Sequence, residues 1–240
     1  MVDIHCHILP CVDDGSGSID DSVKMLKIAA MGGTKEIVAT PHSSFYINKE
    51  KVTLENKQEA FSLLCQAIEE NNIPIKLYMG EEVFFEESTV DSLHSKRNLT
   101  INKTSYVLTE FDFHEDFSYI LQSIDELISN GYIPIIAHPE RYRCIYSKKD
   151  NAFLLKERGA LLQLNSTSIL GYDKRSAYDT AMWMIDAQLA DIVASDAHSP
   201  FVRTTDLSSV HEYISTMFSI DTADILLMKN PQSIIKGEKI

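Results

Sequence analysis

Cysteine is scarce and unpatterned in this sequence. The four thiols in 240 residues (Cys6, Cys11, Cys65, Cys144) form no C-x-x-C pair and no disulfide framework. Reduced thiols in a cytoplasmic protein are the expectation. Position 150, six residues after Cys144, is aspartate, and no cysteine is followed by an arginine at that spacing, which argues against a thiol-based phosphatase. Long apolar runs are missing too, so no segment is expected to span a bilayer. The opening Met1-Val2-Asp3-Ile4-His5 has neither a basic stretch nor an apolar one, so no signal peptide is expected. Gly15-Ser16-Gly17 lacks the Gly-Lys-Ser/Thr ending of a nucleotide-binding loop. Basic residues are in deficit, 22 Lys and Arg against 35 Asp and Glu, for a net charge of −13. Broad binding to nucleic acid is thereby excluded. The acidity has two compatible readings, a solvated acidic surface and carboxylates that ligate metal.

Repeats, low-complexity segments and Gly/Ser linkers are likewise missing, so residues 1–240 read as a single domain. Short apolar runs alternate with longer amphipathic ones. Seven runs read as buried strands: Val2–His5, Ile37–Thr40, Ile75–Tyr78, Tyr106–Thr109, Ile133–Ala137, Leu161–Leu164 and Ile192–Ser195. Between them, Ala60, Phe61, Leu64, Ala67 and Ile68 share a helical face, as do Ile120, Leu121, Ile124, Leu127 and Ile128. Gly32-Gly33, Gly131 and Gly159 sit where helices should stop. This alternation predicts an α/β fold with a parallel sheet and crossover helices. A closed or nearly closed barrel and a doubly wound open sheet both satisfy the periodicity.

Chemistry collects at the strand ends. His5 and His7 end the first strand and Asp14 follows in the next loop. His42 ends the second, Glu82 follows the third, Glu110 ends the fourth, His138 ends the fifth, and Asp196 and His198 end the seventh. In a parallel barrel those ends open onto one face. The H-x-H spacing puts two imidazoles on one side of a strand with Cys6 turned away, and Asp196 with His198 is expected to repeat that geometry. Imidazole and carboxylate donors suit manganese, iron or zinc. His94, His114 and His211 stand apart and read as surface or core residues, and Cys11 reads as a bystander thiol. Spacing leaves Asp13 and Asp14 as alternatives for one ligand.

Taken in order, His5-Cys6-His7, Val12-Asp13-Asp14-Gly15, Pro41-His42, Gly80-Glu81-Glu82, Glu110-Phe111, Ala137-His138-Pro139-Glu140-Arg141-Tyr142 and Ala194-Ser195-Asp196-Ala197-His198 resemble the polymerase and histidinol phosphatase (PHP) superfamily. Within it, Asp3-Ile4-His5-Cys6-His7-Ile8-Leu9-Pro10 and Asn230-Pro231-Gln232 resemble the bacterial manganese-dependent protein-tyrosine phosphatases of capsule and exopolysaccharide loci. The resemblance covers essentially the whole chain. It implies a distorted (β/α)7 TIM-like barrel and three divalent ions, manganese first. His5, His7, Glu82 and Asp196 would hold one ion. Glu82 would bridge to a second, held by Glu110 and His138. Asp14, His42 and His198 would hold the third. Arg141 and Arg203 would meet the phosphate; surface ion pairs are their alternative.

The stretch from Ser43 to Lys51 varies among relatives, so substrate detail is not carried over there. With three divalent ions and two arginines the pocket would carry net positive charge despite its four carboxylates, and so attract a phosphate monoester. Direct hydrolysis by a metal-activated hydroxide is implied, with no covalent phosphoenzyme. The implied substrate is a phosphotyrosine-containing protein, the tail of a bacterial tyrosine kinase. A small-molecule phosphatase such as histidinol-phosphate phosphatase is the alternative, and a non-catalytic metal-binding regulator a third reading.

Overall fold

Strand and helix alternate along the chain, as the apolar periodicity predicts. The computed structural model describes residues 1–43 and 53–240; of the stretch Ser43–Lys51, all but Ser43 lies outside the described residues. The strands are β1 (Val2–Cys6), β2 (Glu36–Ala39), β3 (Lys76–Met79), β4 (Glu82–Phe84), β5 (Tyr106–Glu110), β6 (Ile133–Ala137), β7 (Leu161–Asn165) and β8 (Ile192–Ala194). The helices are α1 (Ile19–Met31), α2 (Leu54–Glu70), α3 (Thr89–His94), α4 (Phe117–Ser129), α5 (Arg143–Tyr146), α6 (Asp150–Glu157), α7 (Ser166–Ile169), α8 (Arg175–Asp186), α9 (Ser208–Met217), α10 (Ile220–Asp224) and α11 (Asn230–Lys236). Among the described residues no helix is long and apolar enough to cross a membrane.

All strand pairings are parallel, in two sheets ordered β1-β2-β3 and β4-β5-β6-β7-β8. Two isolated parallel bridges link them, His42 to Glu82 on one side and Cys6 to Ala197 on the other. The sequence reading places Glu82 in the turn after one strand, whereas the structure makes it the first residue of an additional short strand, β4. The cause is local. Gly80 is packed so tightly that a Cβ there would lie 2.9 Å from Val38 and 3.0 Å from Ile101. Glu81 is drawn aside into a buried ion pair with Lys57 of α2 and accepts the Leu99 amide at 2.9 Å. The backbone leaves the first ladder there and joins the second. At the other seam β8 stops at Ala194 because the Ser195 amide donates to the Asp3 carboxylate (3.1 Å) rather than to a neighbouring strand.

The helix faces follow the predicted stripes. Ala60, Leu64 and Ala67 are buried on α2, and Ile120, Ile124 and Leu127 on α4, while Ile128 is at the exposed edge. Gly131 and Gly159 adopt left-handed backbone directly after α4 and α6, conformations that other residues reach only with strain. One apolar cluster packs β4 to β8 against α4, α6, α8 and α9. A smaller one packs β1 and β2 against α1 and α2. A third joins Ile4, Val38, Leu108, Ile135 and Ile192 to Ile234 and Ile235 of α11. Helices thus cover the sheets and leave the strand C-terminal ends to the polar residues.

Candidate metal centre

The nine residues singled out by the strand-end pattern converge. His5 Nε2 lies 3.3 Å from His7 Nε2, 3.2 Å from Glu82 Oε1 and 3.4 Å from Asp196 Oδ1. His138 Nε2 approaches Glu82 Oε1 at 3.1 Å and Glu110 Oε1 at 3.5 Å. His42 Nδ1 is 3.0 Å from Glu82 Oε2, and Asp14 Oδ1 lies 3.4 Å from both His42 Nε2 and His198 Nε2. Among the described residues, three groups have donor atoms close enough to share an ion: His5, His7 and Asp196; His42, Glu82 and Glu110; and His7, Asp14, His42 and His198. The grouping differs in detail from the one the resemblance implies. His7 and His42 each belong to two groups, and His138 stands at the edge of the Glu82–Glu110 pair.

The donor set fits cations on a structural ground. His5 Nδ1 meets Gln163 Oε1 at 2.7 Å and His7 Nδ1 meets Asp13 Oδ2 at 2.8 Å. His198 Nδ1 meets the Asp196 carbonyl at 3.0 Å. Each of these acceptors requires the proton on Nδ1, so each Nε2 presents its lone pair to the cluster. Neutral imidazoles would then face one another and three carboxylates, an arrangement that repels unless a proton or metal cation lies between them. Glu110 Oε2, buried, has no hydrogen-bond partner among the described residues, as expected of an atom reserved for such a cation.

Electrostatics agree. Burial pulls the His5, His7 and His42 imidazoles down, but Glu82, Asp196 and Asp13 outweigh it. All three are raised, His42 to about 10. Burial opposes ionisation of Glu82 and Asp196, yet the surrounding histidines, with Arg203 at Asp196, hold both well below the carboxylate range. Burial and the neighbouring Glu82 charge push Glu110 up to about 9. His138 and His198 are lowered, by burial first. These shifts describe a pocket of negative potential in which protons occupy places that a metal ion can take.

Asp13 and Asp14, the two alternatives for one ligand, stand in different places. Asp14 lies among the rings, while Asp13 sits behind them, accepting from His7 Nδ1, the His42 amide (3.0 Å) and the Gly15 amide (2.9 Å). One expectation is corrected. Asp196 and His198 do not repeat the geometry of His5, in β1, and His7, directly after it. They lie beyond β8, and Asp196 has left-handed backbone, φ 49°, tied by its amide to the His5 carbonyl at 2.8 Å. His138 and Arg203 are also left-handed, at φ 37° and 52°. Backbone strain of this kind, on the order of 1–3 kcal/mol per residue, collects at functional sites.

Arg141 and Arg203 reach the same carboxylate. Arg203 pairs with Asp196 Oδ2, and Arg141 Nη1 stands 3.7 Å from that oxygen. Both arginine side chains remain partly exposed, at 27% and 33%. The sequence reading passed over Gln163 and Asn165. Gln163 Nε2 donates to Asn165 Oδ1 at 2.9 Å, and Asn165 Nδ2 donates to Asp196 Oδ2 at 2.6 Å. Their signal was present, as two amides two residues apart in the otherwise apolar Leu161-Leu162-Gln163-Leu164-Asn165. Lys57 and Glu81 had no comparable signal.

Comparison with known proteins bears on the same residues. The family model described as capsular polysaccharide synthesis, CpsB/CapC, matches residues 1–236. The tyrosine-protein phosphatase YwqE of Bacillus subtilis is 32% identical over 240 residues, covering 100% of this chain and 93% of that protein. The tyrosine-protein phosphatase CpsB of Streptococcus agalactiae is 28% identical over 247 residues, covering 100% of both. A crystal structure from work on Bacillus subtilis YwqE and Streptococcus pneumoniae CpsB, described as metal-dependent tyrosine phosphatases, matches with a TM-score of 0.93. That match has 32% identity and covers 100% of this chain and 96% of the other. With nearly its whole length matched by the family model and by relatives of the same size, the chain belongs to the CpsB/CapC family of capsular polysaccharide synthesis.

Proposed function

We propose that this chain is a metal-dependent protein-tyrosine phosphatase. The observation that carries the proposal is the convergence of nine His, Asp and Glu side chains with three imidazoles held by their Nδ1 partners so that Nε2 faces the carboxylates. Family membership and relatives that are tyrosine-protein phosphatases support the substrate class. His5, His7, Asp14, His42, Glu82, Glu110, His138, Asp196 and His198 would hold three divalent ions, manganese by preference and iron or zinc as alternatives. When bound, such ions supply positive charge at the phosphoryl oxygens and lower the pKa of water.

The protein's own residues supply the rest. Arg141 and Arg203, both aimed at Asp196 from outside the cluster, would grip phosphate oxygens through their planar forks. Gln163, Asp13 and Asn165 hold His5, His7 and Asp196 in the presenting orientation. A phenolate leaving group, with a pKa of about 10, needs little help from a protein acid. Cys6 is buried in an apolar cluster with its thiol pushed up by burial, which suits a bystander and not a nucleophile.

The same proposal takes residues 1–240 as one domain and the two sheets as a distorted (β/α)7 barrel, with β3 and β4 counted as one interrupted strand. The substrate is the phosphorylated tail of a bacterial tyrosine kinase that controls capsule or exopolysaccharide synthesis, met in the cytoplasm. Nucleic acid is not a partner, and the chain is not embedded in the membrane. The test is hydrolysis of a phosphotyrosine peptide against histidinol phosphate, before chelation, after it, and after manganese is restored. Full activity on the peptide in excess chelator after dialysis would overturn the metal mechanism, and a preference for histidinol phosphate would overturn the substrate class.

A further inference from the structure

Beside Arg141 the surface opens into a cleft of about 190 Å³. Its walls are the rings of Phe113 and Tyr146 and the α8 residues Ser176 and Ala177, with Lys174 and His114 at the lining. This is below the roughly 300–1,000 Å³ that encloses a whole drug-sized ligand, so it suits one side chain. Arg141 belongs to the cleft and to the metal centre at once, since it lines the cleft and approaches Asp196 Oδ2 at 3.7 Å. Phe113 makes the same link. Its ring centroid lies 5.7 Å from that of His138 in an edge arrangement, and the Arg141 guanidinium stacks over its face at 4.7 Å. Its carbonyl is pinned by the Arg143 amide at 2.8 Å.

We propose that this cleft receives the aromatic ring of the aryl phosphate substrate, with Phe113 and Tyr146 as its apolar walls. The inference rests on the reading of the chain as a phosphotyrosine hydrolase and adds the position of the leaving group. A phosphate held at Arg141 has its ester oxygen within one bond of the ring, so the ring must lie against whatever borders Arg141. What borders it includes two aromatic residues, Phe113 and Tyr146, among polar neighbours, and aromatic pairs favour offset or edge contacts at 4.5–7 Å between centroids. The lining acid is engaged elsewhere, since Asp173 accepts from the Thr167 and Ser168 hydroxyls at 2.9 and 2.8 Å. Phosphate esters of alkyl alcohols would leave these walls uncovered.

The experiment is calorimetric binding of phenylphosphonate and methylphosphonate to the manganese-loaded protein. The parent should prefer the phenyl compound by about tenfold, the order expected from ring contacts plus apolar burial. Ser176→Phe, which fills the cleft from α8, and Tyr146→Ala, which removes a half-exposed wall, should each erase most of that preference and leave methylphosphonate binding unchanged. The Michaelis constant for a phosphotyrosine peptide should rise in parallel. Two folded variants that keep the parental phenyl preference would overturn the cleft assignment, as would a parent that shows none while hydrolysing the peptide. A parent that hydrolyses no phosphotyrosine peptide but shows the variant-sensitive preference would keep the aryl cleft and overturn the proposed substrate instead.

Discussion

His5 and Asp14 mark two extremes of the candidate metal centre. Around His5 everything is buried: His7, Glu82 and Asp196 are at most 2% exposed, and Gln163, Asp13 and Asn165 stand behind them with hydrogen bonds of 2.6–2.8 Å. Around Asp14 the carboxylate is 54% exposed, held by two imidazoles at 3.4 Å, and it lies in the irregular segment between β1 and α1. The first region rests on strand ends, the second on loops. Orientation in the first is imposed by neighbours that cannot move without leaving buried polar atoms unpaired. Orientation in the second has fewer such constraints. The inner group is thus the more tightly constrained of the two, and the outer group the more open to solvent.

The largest expected effect tests the inner group. Asp196→Ala removes a ligand candidate and the shared partner of Arg141, Arg203 and Asn165. Activity should fall by more than the roughly 10–100-fold typical of a lost supporting partner, with a drop in bound metal read by elemental analysis. An Asp14→Ala protein that loses as much metal as Asp196→Ala would erase the contrast between the two regions.

Next in size, Arg141→Ala should lower kcat/KM by about ten- to a hundredfold. A hydrogen bond to a charged group contributes about 1.5–3 kcal/mol, and each 1.36 kcal/mol is about tenfold. Metal content should stay at the parental value, and Arg141→Lys should recover part of the loss. Parental kinetics on a phosphotyrosine peptide would make the residue structural. Gln163→Ala should follow, weakening metal affinity by about 10–100-fold through a freed His5 ring, read by competition with a chelating dye. Unchanged affinity would mean that strand geometry orients His5 without the amide.

A smaller effect separates the two regions by pH. In the chelated protein His42 has its pKa raised to about 10 and Glu110 to about 9. Each binds more protons folded than unfolded, so each stabilises the fold at low pH and loses that contribution as pH rises through the folded value. For His42 the window runs from about 6.5 to 10 and for Glu110 from about 4.5 to 9. The Tm of the chelated protein should therefore decline from pH 6.5 to 10. The manganese-loaded protein should hold its Tm there, because metal requires the deprotonated ligands. A chelated Tm that climbs over that range would contradict the assignment. The smallest effect is at Cys11, whose exposed thiol donates to the Gly17 carbonyl at 2.9 Å. Cys11→Ser should leave turnover and metal content alone, and loss of turnover with metal retained would bring a thiol into the reaction.

Local chemistry explains which features could be read before any coordinates. Six of the apolar runs emerge as buried strands because burial on both faces demands Val, Ile and Leu at consecutive positions. The Ile75–Tyr78 run also becomes a strand, but Lys76–Met79 is exposed to half-buried, a correction to the expected burial. His5 and His7 were legible as a pair because strand alternation alone puts i and i+2 on one side. Gln163 and Asn165 were partly legible, as amides on one face of a buried strand. Lys57 and Glu81 were not, since a lysine in the helix Leu54–Glu70 ordinarily reaches solvent, whereas this one is buried in an ion pair with Glu81. Asp196 and His198 were legible as residues but not in geometry. Their reach into the centre depends on left-handed backbone at Asp196, a conformation aspartate visits only occasionally and spacing does not reveal.

By itself the sequence determined the α/β alternation, nine candidate donor residues at the strand ends and the family likeness, because residue type and short-range spacing suffice for each. Tertiary structure decided the rest. It placed Asp14 among the rings and Asp13 behind them, split one strand into β3 and β4, and drew both arginines onto Asp196. It also set a small aromatic cleft beside Arg141. These placements draw on contacts between residues distant in sequence, such as His42 amide to Asp13, 29 positions apart, and Ser195 to Asp3, 192 apart. The free energy of such contacts appears only once the strands have closed around them.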